Sequence, residues 1–325
     1  MDTKTIDKYL NLFSKLNRGY TKGLGKAPHK PILLISIIEL IRKKEISSNR
    51  IFITTNLVLT FKNNWDKLVV TNHSQNFALP FFHMRSEPFW NLVTKFGMEL
   101  NLTNSRSIKS FKNLNENISF AEIDKDLFFI LSNQKLSNSL LSLLLNKYFP
   151  ASHSNYFLNY DNSIEREIEN QILNENPTEY RNNLNELKSK LDNNSFEEEL
   201  FIRGGLFKKT IPKIYNYSCC ISGWRIESTT NSQMVDACHI IPFSISKDDT
   251  IPNGISLSPN LHRAFDRGLI TINKDYIVRV SPTITNPSNN DLHCFEGKQI
   301  LLPSNAKWYP SVDSLFWHNK EIYKL

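Results

Sequence analysis

The sequence predicts an α+β fold: a mainly helical N-terminal region with a small hairpin, a helical linker, and a compact C-terminal region of short strands and helix. Three observations carry this. Apolar residues recur at helical spacing through the first 46 residues and again from Asp126 to Tyr148. An Asn/Ser/Tyr-rich stretch, 151–162, is followed by two helical patterns with few apolar positions. The stretch from Asp236 to Leu269 runs from an apolar β-branched segment through a Pro/Gly-rich loop into a short helix. A chain of 325 residues exceeds what one small domain needs. The expected division is a first domain over 1–150, a helical linker over 151–200 and a second domain over 201–325.

The elements follow in order. Ile6–Leu16 reads as an amphipathic helix, followed by a loop, 17–26, rich in glycine and basic residues. Pro31 suits the first turn of a helix over Ile32–Lys44, which is apolar nearly all round and so expected in the core. Ile51–Trp65 should hold a short strand and a helix. Leu79–Met84, aromatic-rich, and the segment to Leu92 read as a hairpin. Asp126–Leu131 and Asn138–Tyr148 read as helices. Ser163–Asn174 and Pro177–Leu191 do too, with Ser163 and Thr178 as capping candidates. Their sparse apolar residues (Ile164, Ile168, Ile172, Leu184, Leu187, Leu191) suit a bridging or dimerising pair better than a core. A strand is expected around His239, a loop from there to His262, and a helix opened by Ser258 and Pro259. Leu269–Val280 reads as a strand pair, Phe295–Pro303 as a strand and Asp313–Tyr323 as a terminal helix.

Composition narrows the function. Hydrophobic residues at 40%, with 11% aromatic, permit packed cores. Lys+Arg 39 against Asp+Glu 32 leaves a net charge of +7, compatible with a polyanionic partner. The N-terminal segment has no uninterrupted apolar core, so it reads as a helix rather than a signal peptide. No apolar run approaches the roughly 18 residues of a membrane span. Cys219, Cys220, Cys238 and Cys294 form no C-x-x-C pair, which points to plain thiols in a reducing cytoplasm.

The chemistry concentrates in one stretch, DACHIIPFSISKDDTIPNGISLSPNLHRAFDRGL. Asn253 lies fourteen positions after His239, His262 nine further and Asp266 four further. His262 and Asp266 are i and i+4 on the expected helix, so they share a face. A strand-borne imidazole opposite a His/Asp pair is an arrangement suited to one-metal hydrolysis. The pattern resembles the HNH endonucleases of ββα-metal fold, and HIIPFS…NGISLSPNLHRAFDRGLI is similar to the restriction-type group nearly residue by residue. Tyr215–Trp224 resembles that group's first strand. The resemblance implies a metal-dependent DNA endonuclease. His239 would be the general base, Asn253 would orient it or the loop, and His262 and Asp266 would be metal ligands. Asp236 is a third ligand candidate. Many HNH proteins place a ligand directly before the base, and here Cys238 stands there. On a regular strand Asp236 and Cys238 share one face while His239 points to the other. Arg263 and Arg267 are candidates for phosphate contact. The donors suit Mg²⁺ or Mn²⁺, with Ni²⁺ or Zn²⁺ able to substitute in vitro. His293 and His318 are read as structural.

The N-terminal half carries its own resemblance. APHKPILLISIIELI together with LPFFHMRSEPFWNL is similar to the sulfur-binding domains fused to HNH nucleases in restriction enzymes, over roughly residues 10–150. That family recognises phosphorothioated DNA with a small apolar pocket beside basic side chains. Pro80 matches its proline. Leu79 stands where the family often has tyrosine, and Pro28-His29-Lys30 where some members place an arginine. The resemblance implies DNA contacts from His29, Lys30, Pro80, Phe81, His83 and Arg85, while core packing is the competing role for Phe81. Together the two resemblances imply a modification-dependent, type IV-like restriction endonuclease acting in defence on double-stranded DNA. Two alternatives stay open: a sequence-specific HNH endonuclease on unmodified DNA, and a DNA-binding protein whose HNH fold is non-catalytic. One active site makes one nick, so a homodimer is one way to cut both strands.

Overall fold

The computed structural model describes residues 3–100, 102–104, 106–108, 110–158, 163–226, 233–285 and 292–325. The chain forms two compact units: 1–164 with 188–202, and 165–187 with 203–325. It is mixed α/β, with a helical N-terminal region, small sheets and the strand-helix site near the C-terminus.

The first unit begins with α1 (Thr3–Ser14) and a two-residue hairpin, β1 (Tyr20–Thr21) with β2 (Gly25–Lys26). Helix α2 (His29–Arg42) starts three residues before the apolar run, so Pro31 falls in its first turn, where no intrahelical amide is lost. Nearly every residue of α2 is buried, as its all-round apolar pattern requires. Each fully buried Ile or Leu contributes roughly 1.5–3 kcal/mol against unfolding, before entropy. Around α2 pack α3 (Thr55–Leu68), α4 (Ala78–His83), α6 (Lys125–Ser132) and α7 (Gln134–Tyr148). A three-stranded antiparallel sheet joins β3 (Arg50–Ile51), β4 (Trp90–Thr94) and β5 (Ile118–Ile123), with β5 central, and α5 (Phe111–Asn117) leads into β5.

The expected hairpin over Leu79–Leu92 is not formed. Its first half is α4, and its second half pairs with β5 instead. The α4 amides have partners that favour a helix: Asn76 Oδ1 accepts from Leu79 N at 3.0 Å, and the Glu198 carboxylate accepts from Phe77 N at 2.9 Å. Phe77 and Phe81, one turn apart, stack at 5.6 Å in the core. The aromatic strand propensity yields to this burial.

The boundary between the units falls within each of α8 (Ser163–Asn174), α9 (Pro177–Lys190) and α10 (Asn193–Ile214). Thr178 does not cap α9. Asn176 does: its Oδ1 accepts from the amides of Thr178 and Glu179, and Glu179 answers by accepting from Asn176 N, a capping box. The Ser163 side chain lies outside the described residues. Part of the sparse apolar stripe is covered: Ile168, Ile172 and Leu184 are buried, as is Tyr180. In the second unit Glu165 of α8 pairs with Lys209 of α10 at 2.8 Å, and Arg203 of α10 lies over the Tyr180 ring. Ile164, Leu187 and Leu191 of the same stripe are only half-buried.

The rest of the second unit is small. β6 (Asp236–His239) pairs antiparallel with β7 (Gly254–Leu257), and between them α11 (Phe243–Ser246) makes one turn. The expected uninterrupted loop before the helix therefore contains a strand. Residues 215–226 form turns rather than the expected first strand: Cys219 N bonds back to Trp224 O. α12 (Pro259–Asp266) ends at Gly268, φ +68°, where the amides of Gly268 and Leu269 reach Phe265 O and Ala264 O. β8 (Ile270–Ile272) and β9 (Val278–Val280) form the expected pair, and α13 (Val312–Glu321) the expected helix. The segment from Phe295 to Pro303 makes only an isolated bridge, Ile277 to Gln299.

Candidate functional site: a strand-helix cavity and a separate apolar pocket

β6 pairs with β7 in regular register, so its side chains alternate as a strand demands. Asp236 and Cys238 face α12. Asp236 Oδ2 lies 3.5 Å from His262 Nδ1, and Cys238 Sγ lies 3.8 Å from Asp266 Oδ1. The regular register of β6 is enough to bring Asp236 there. His262 Nε2 is 3.5 Å from Asp266 Oδ2, one turn along α12. Ligand atoms of Cys238, His262 and Asp266 all lie within 4.8 Å of one another. The side chains of Asp236 and Asp266 are 52% and 58% exposed, so both carboxylates remain open to solvent and ligands.

His239 ends β6 on the opposite strand face. Its ring stacks on Phe207 of α10, centroids 3.9 Å apart and planes within 7°. The backbone beside it must come close to α10 as well: a Cβ on Gly254 would sit 2.3 Å from Ile211 Cδ1, so glycine is required. His239 and His262 nevertheless line the same cavity, about 310 Å³, together with Asp266, His318 and Lys208. Arg263 is exposed on α12 outside that lining, and so is Arg267.

Asn253 is buried, and its amide is committed to the loop. Oδ1 accepts from Ile241 N at 2.9 Å, while Nδ2 donates to Ile241 O and Asp248 O, each at 3.0 Å. It braces the loop and makes no side-chain bond to His239. The partner of His239 is Asp249, 2.8 Å from its Nε2, which sequence reasoning missed. His318 is structural: it stacks on Phe265 and bonds Thr271 and Phe265 O, and burial pushes its pKa down to about 4.

The donors fit a divalent cation. A carboxylate pair and an imidazole suit a hard or borderline ion, and a buried thiol lies beside them. Burial pushes the Cys238 thiol well above its ordinary range, so it stays a protonated donor toward Asp266.

The first unit holds a second, larger cavity of about 600 Å³. His29, Lys30, Leu79, Pro80 and His83 line it, and so do Arg18 and His73, which sequence reasoning did not single out. Phe81 does not: it is fully buried against Phe77 and Trp90, and it belongs to the core. Arg85 is exposed outside the lining, stacked over Phe82 at 3.9 Å. Nor are the basic groups free charges. Lys30 Nζ is paired with the buried Glu87 and bonds Ser86 Oγ at 2.8 Å. His29 donates from Nε2 to Ser74 O at 2.9 Å, and burial pushes its pKa down to about 4, so it is neutral at pH 7. Burial also lowers His83.

Residues 219–273 match the family model described as HNH endonuclease. Those residues form an HNH endonuclease domain. All of His239, Asn253, His262 and Asp266 fall inside the match. Among curated proteins, none matches the chain. Among solved structures, the chain is similar to a modification-dependent TagI restriction endonuclease at 19% identity, TM-score 0.28, over 37% of this chain and 39% of that one. It is similar to the sulfur-binding and SRA domains of ScoMcrA complexed with phosphorothioated DNA at 17% identity, TM-score 0.37, over 46% of each chain. The sulfur-binding domain of ScoMcrA alone, complexed with phosphorothioated DNA, aligns at 18% identity, TM-score 0.35, over 44% of this chain and 87% of that one. The chain thus spans less than half the length of the first two. No described helix is long and apolar enough to cross a membrane.

Proposed function

We propose that the chain is a modification-dependent restriction endonuclease, which binds phosphorothioated DNA through the first unit and hydrolyses phosphodiester bonds in the HNH domain. The observation that carries the hydrolytic half is the shared cavity, where His239 meets the donors of His262 and Asp266. A bound divalent ion, Mg²⁺ or Mn²⁺, supplies charge on the scissile phosphate and help for the leaving oxygen. His262 and Asp266 would hold it, with Cys238 and Asp236 beside them. His239 takes the proton of the attacking water, the role an imidazole suits near neutral pH. Asn253 holds the loop that carries the site, and Lys208 at the cavity places a cation toward the DNA backbone.

The recognition half rests on the resemblance over residues 10–150 and on the chemistry of the larger cavity. Leu79 and Pro80 offer apolar surface, while the neighbouring His29 is neutral and Lys30 is already neutralised by Glu87. Such a lining suits a weakly hydrated sulfur and penalises an ordinary phosphate oxygen, which would lose its water without a charged replacement. Arg18 remains as the cation for the rest of the linkage. The test is nicking of matched plasmids, one phosphorothioated and one not, by the full chain in Mn²⁺. Cutting confined to the marked plasmid is expected. Equal cutting of both removes the modification requirement, and a fixed pattern on unmodified DNA supports a sequence-specific enzyme instead.

A further inference from the structure

The HNH match covers residues 219–273, yet His239 also stacks on Phe207, which lies upstream of it. His239 Nε2 lies 2.8 Å from Asp249 Oδ1, and Asp249 is 1% exposed. The other Asp249 oxygen accepts from the hydroxyl of Tyr180, on α9, at 3.3 Å. Burial pushes that hydroxyl far above its ordinary range, so it stays a donor. Behind Tyr180 lies the Arg203 guanidinium, 5.4 Å from the ring centroid. Phe207, also upstream of the match, holds the imidazole plane by stacking.

We infer that Asp249, backed by Tyr180, is the positioning residue that fixes the tautomer and ring orientation of His239, so that the hydrolytic site extends into the helices before the HNH match. An ionised carboxylate can only accept, so the hydrogen in the Asp249 bond belongs to Nε2. In the neutral ring the lone pair is then left on Nδ1, and that atom is the base. When the attacking water loses its proton, the O–H bond breaks and an N–H bond forms at Nδ1. The imidazolium so formed lies against the Asp249 carboxylate. Phe207 prevents tilting of the ring and Asp249 prevents rotation within its plane, and Tyr180 in turn holds Asp249. Burying a carboxylate this deeply is costly unless partners satisfy it. Here its shortest described hydrogen bond goes to the catalytic imidazole, which gives the position a use that packing alone would not require. The inference rests on His239 being the base, and its test separates the two ideas.

The full chain, labelled with ¹⁵N-histidine, is examined by long-range ¹H–¹⁵N correlation at alkaline pH, alongside steady-state nicking of phosphorothioated plasmid in Mn²⁺. In the unaltered protein His239 should show a single tautomer protonated at Nε2. In D249N that preference should be lost, with kcat down about 10³–10⁴-fold, as when a triad carboxylate is amidated, and with KM and the Mn²⁺ requirement within about twofold, as expected when only transition-state stabilisation is removed. Y180F, which deletes one hydroxyl, should give a mixed tautomer and a smaller fall in kcat. An unchanged His239 tautomer in D249N overturns the inference. If D249N does not fold, an unaltered spectrum and rate in Y180F overturn it equally. If the tautomer depends on Asp249 while the unaltered protein cuts nothing, the positioning stands and the nuclease reading fails.

Discussion

Two of the basic groups bordering the cavity of the first unit are already satisfied. Lys30 is closed on Glu87, with both side chains about 7% exposed, and His29 is neutral and tied to a backbone carbonyl. In the second unit Asp266 lines the cavity, and the carboxylates of Asp266 and Asp236, both more than half exposed, lie 3.5 Å from either side of the His262 imidazole. A pocket that selects by shape and weak hydration gains from having little spare charge, here that of Arg18. A pocket that gathers a cation and a phosphate needs donors that folding has not used up. The contrast is the one that the proposed division, recognition at the first cavity and chemistry at the second, requires.

The largest test of the contrast is Lys30→Met. If Lys30 were a surface DNA contact, its loss would weaken binding and leave folding alone. As half of a buried pair, its loss strands the Glu87 carboxylate, and unfolding in urea should show a loss of about 3–5 kcal/mol. The double change K30M/E87L should recover most of it. A K30M protein of unaltered stability would return Lys30 to the binding surface.

A smaller effect, that of pH, is shared by the two units. His29 in the first and His318 in the second each have a folded pKa of about 4, below the ordinary 6.5. The unfolded chain therefore binds the proton first. Neither residue affects stability above pH 6.5. Each lowers it progressively as pH falls from 6.5 toward 4, by roughly 2–3 kcal/mol at most. Replacing either histidine with asparagine should flatten that part of the pH–stability curve by its own share. A slope unchanged in both variants would contradict the neutral, buried state of these rings.

The chemistry was legible where it is local. His262 and Asp266 sit one helical turn apart, so their common face follows from spacing, and the strand at His239 follows from its β-branched neighbours. Partners distant in sequence were not. Glu87 reaches Lys30 across 57 residues and Tyr180 reaches Asp249 across 69, and no periodic pattern announces either meeting. The aromatic run at Phe77–Phe82 satisfies both strand and helix periods over so few residues that only its capping partners, Asn76 and the remote Glu198, decide it. Asp249 could have been suspected: two adjacent acids, Asp248 and Asp249, stand between the first histidine and the asparagine, an expensive pair to enclose in a loop without a partner.

The measurement closest to the centre of this account uses His239→Ala in the full chain, with nicking of phosphorothioated plasmid in Mn²⁺ and binding of a phosphorothioated oligonucleotide followed together. The account predicts that cutting falls about 10²–10⁴-fold, the usual share of a general base, while the oligonucleotide Kd stays within about twofold, since the replaced ring borders the other cavity. Cutting at the unaltered rate would contradict it.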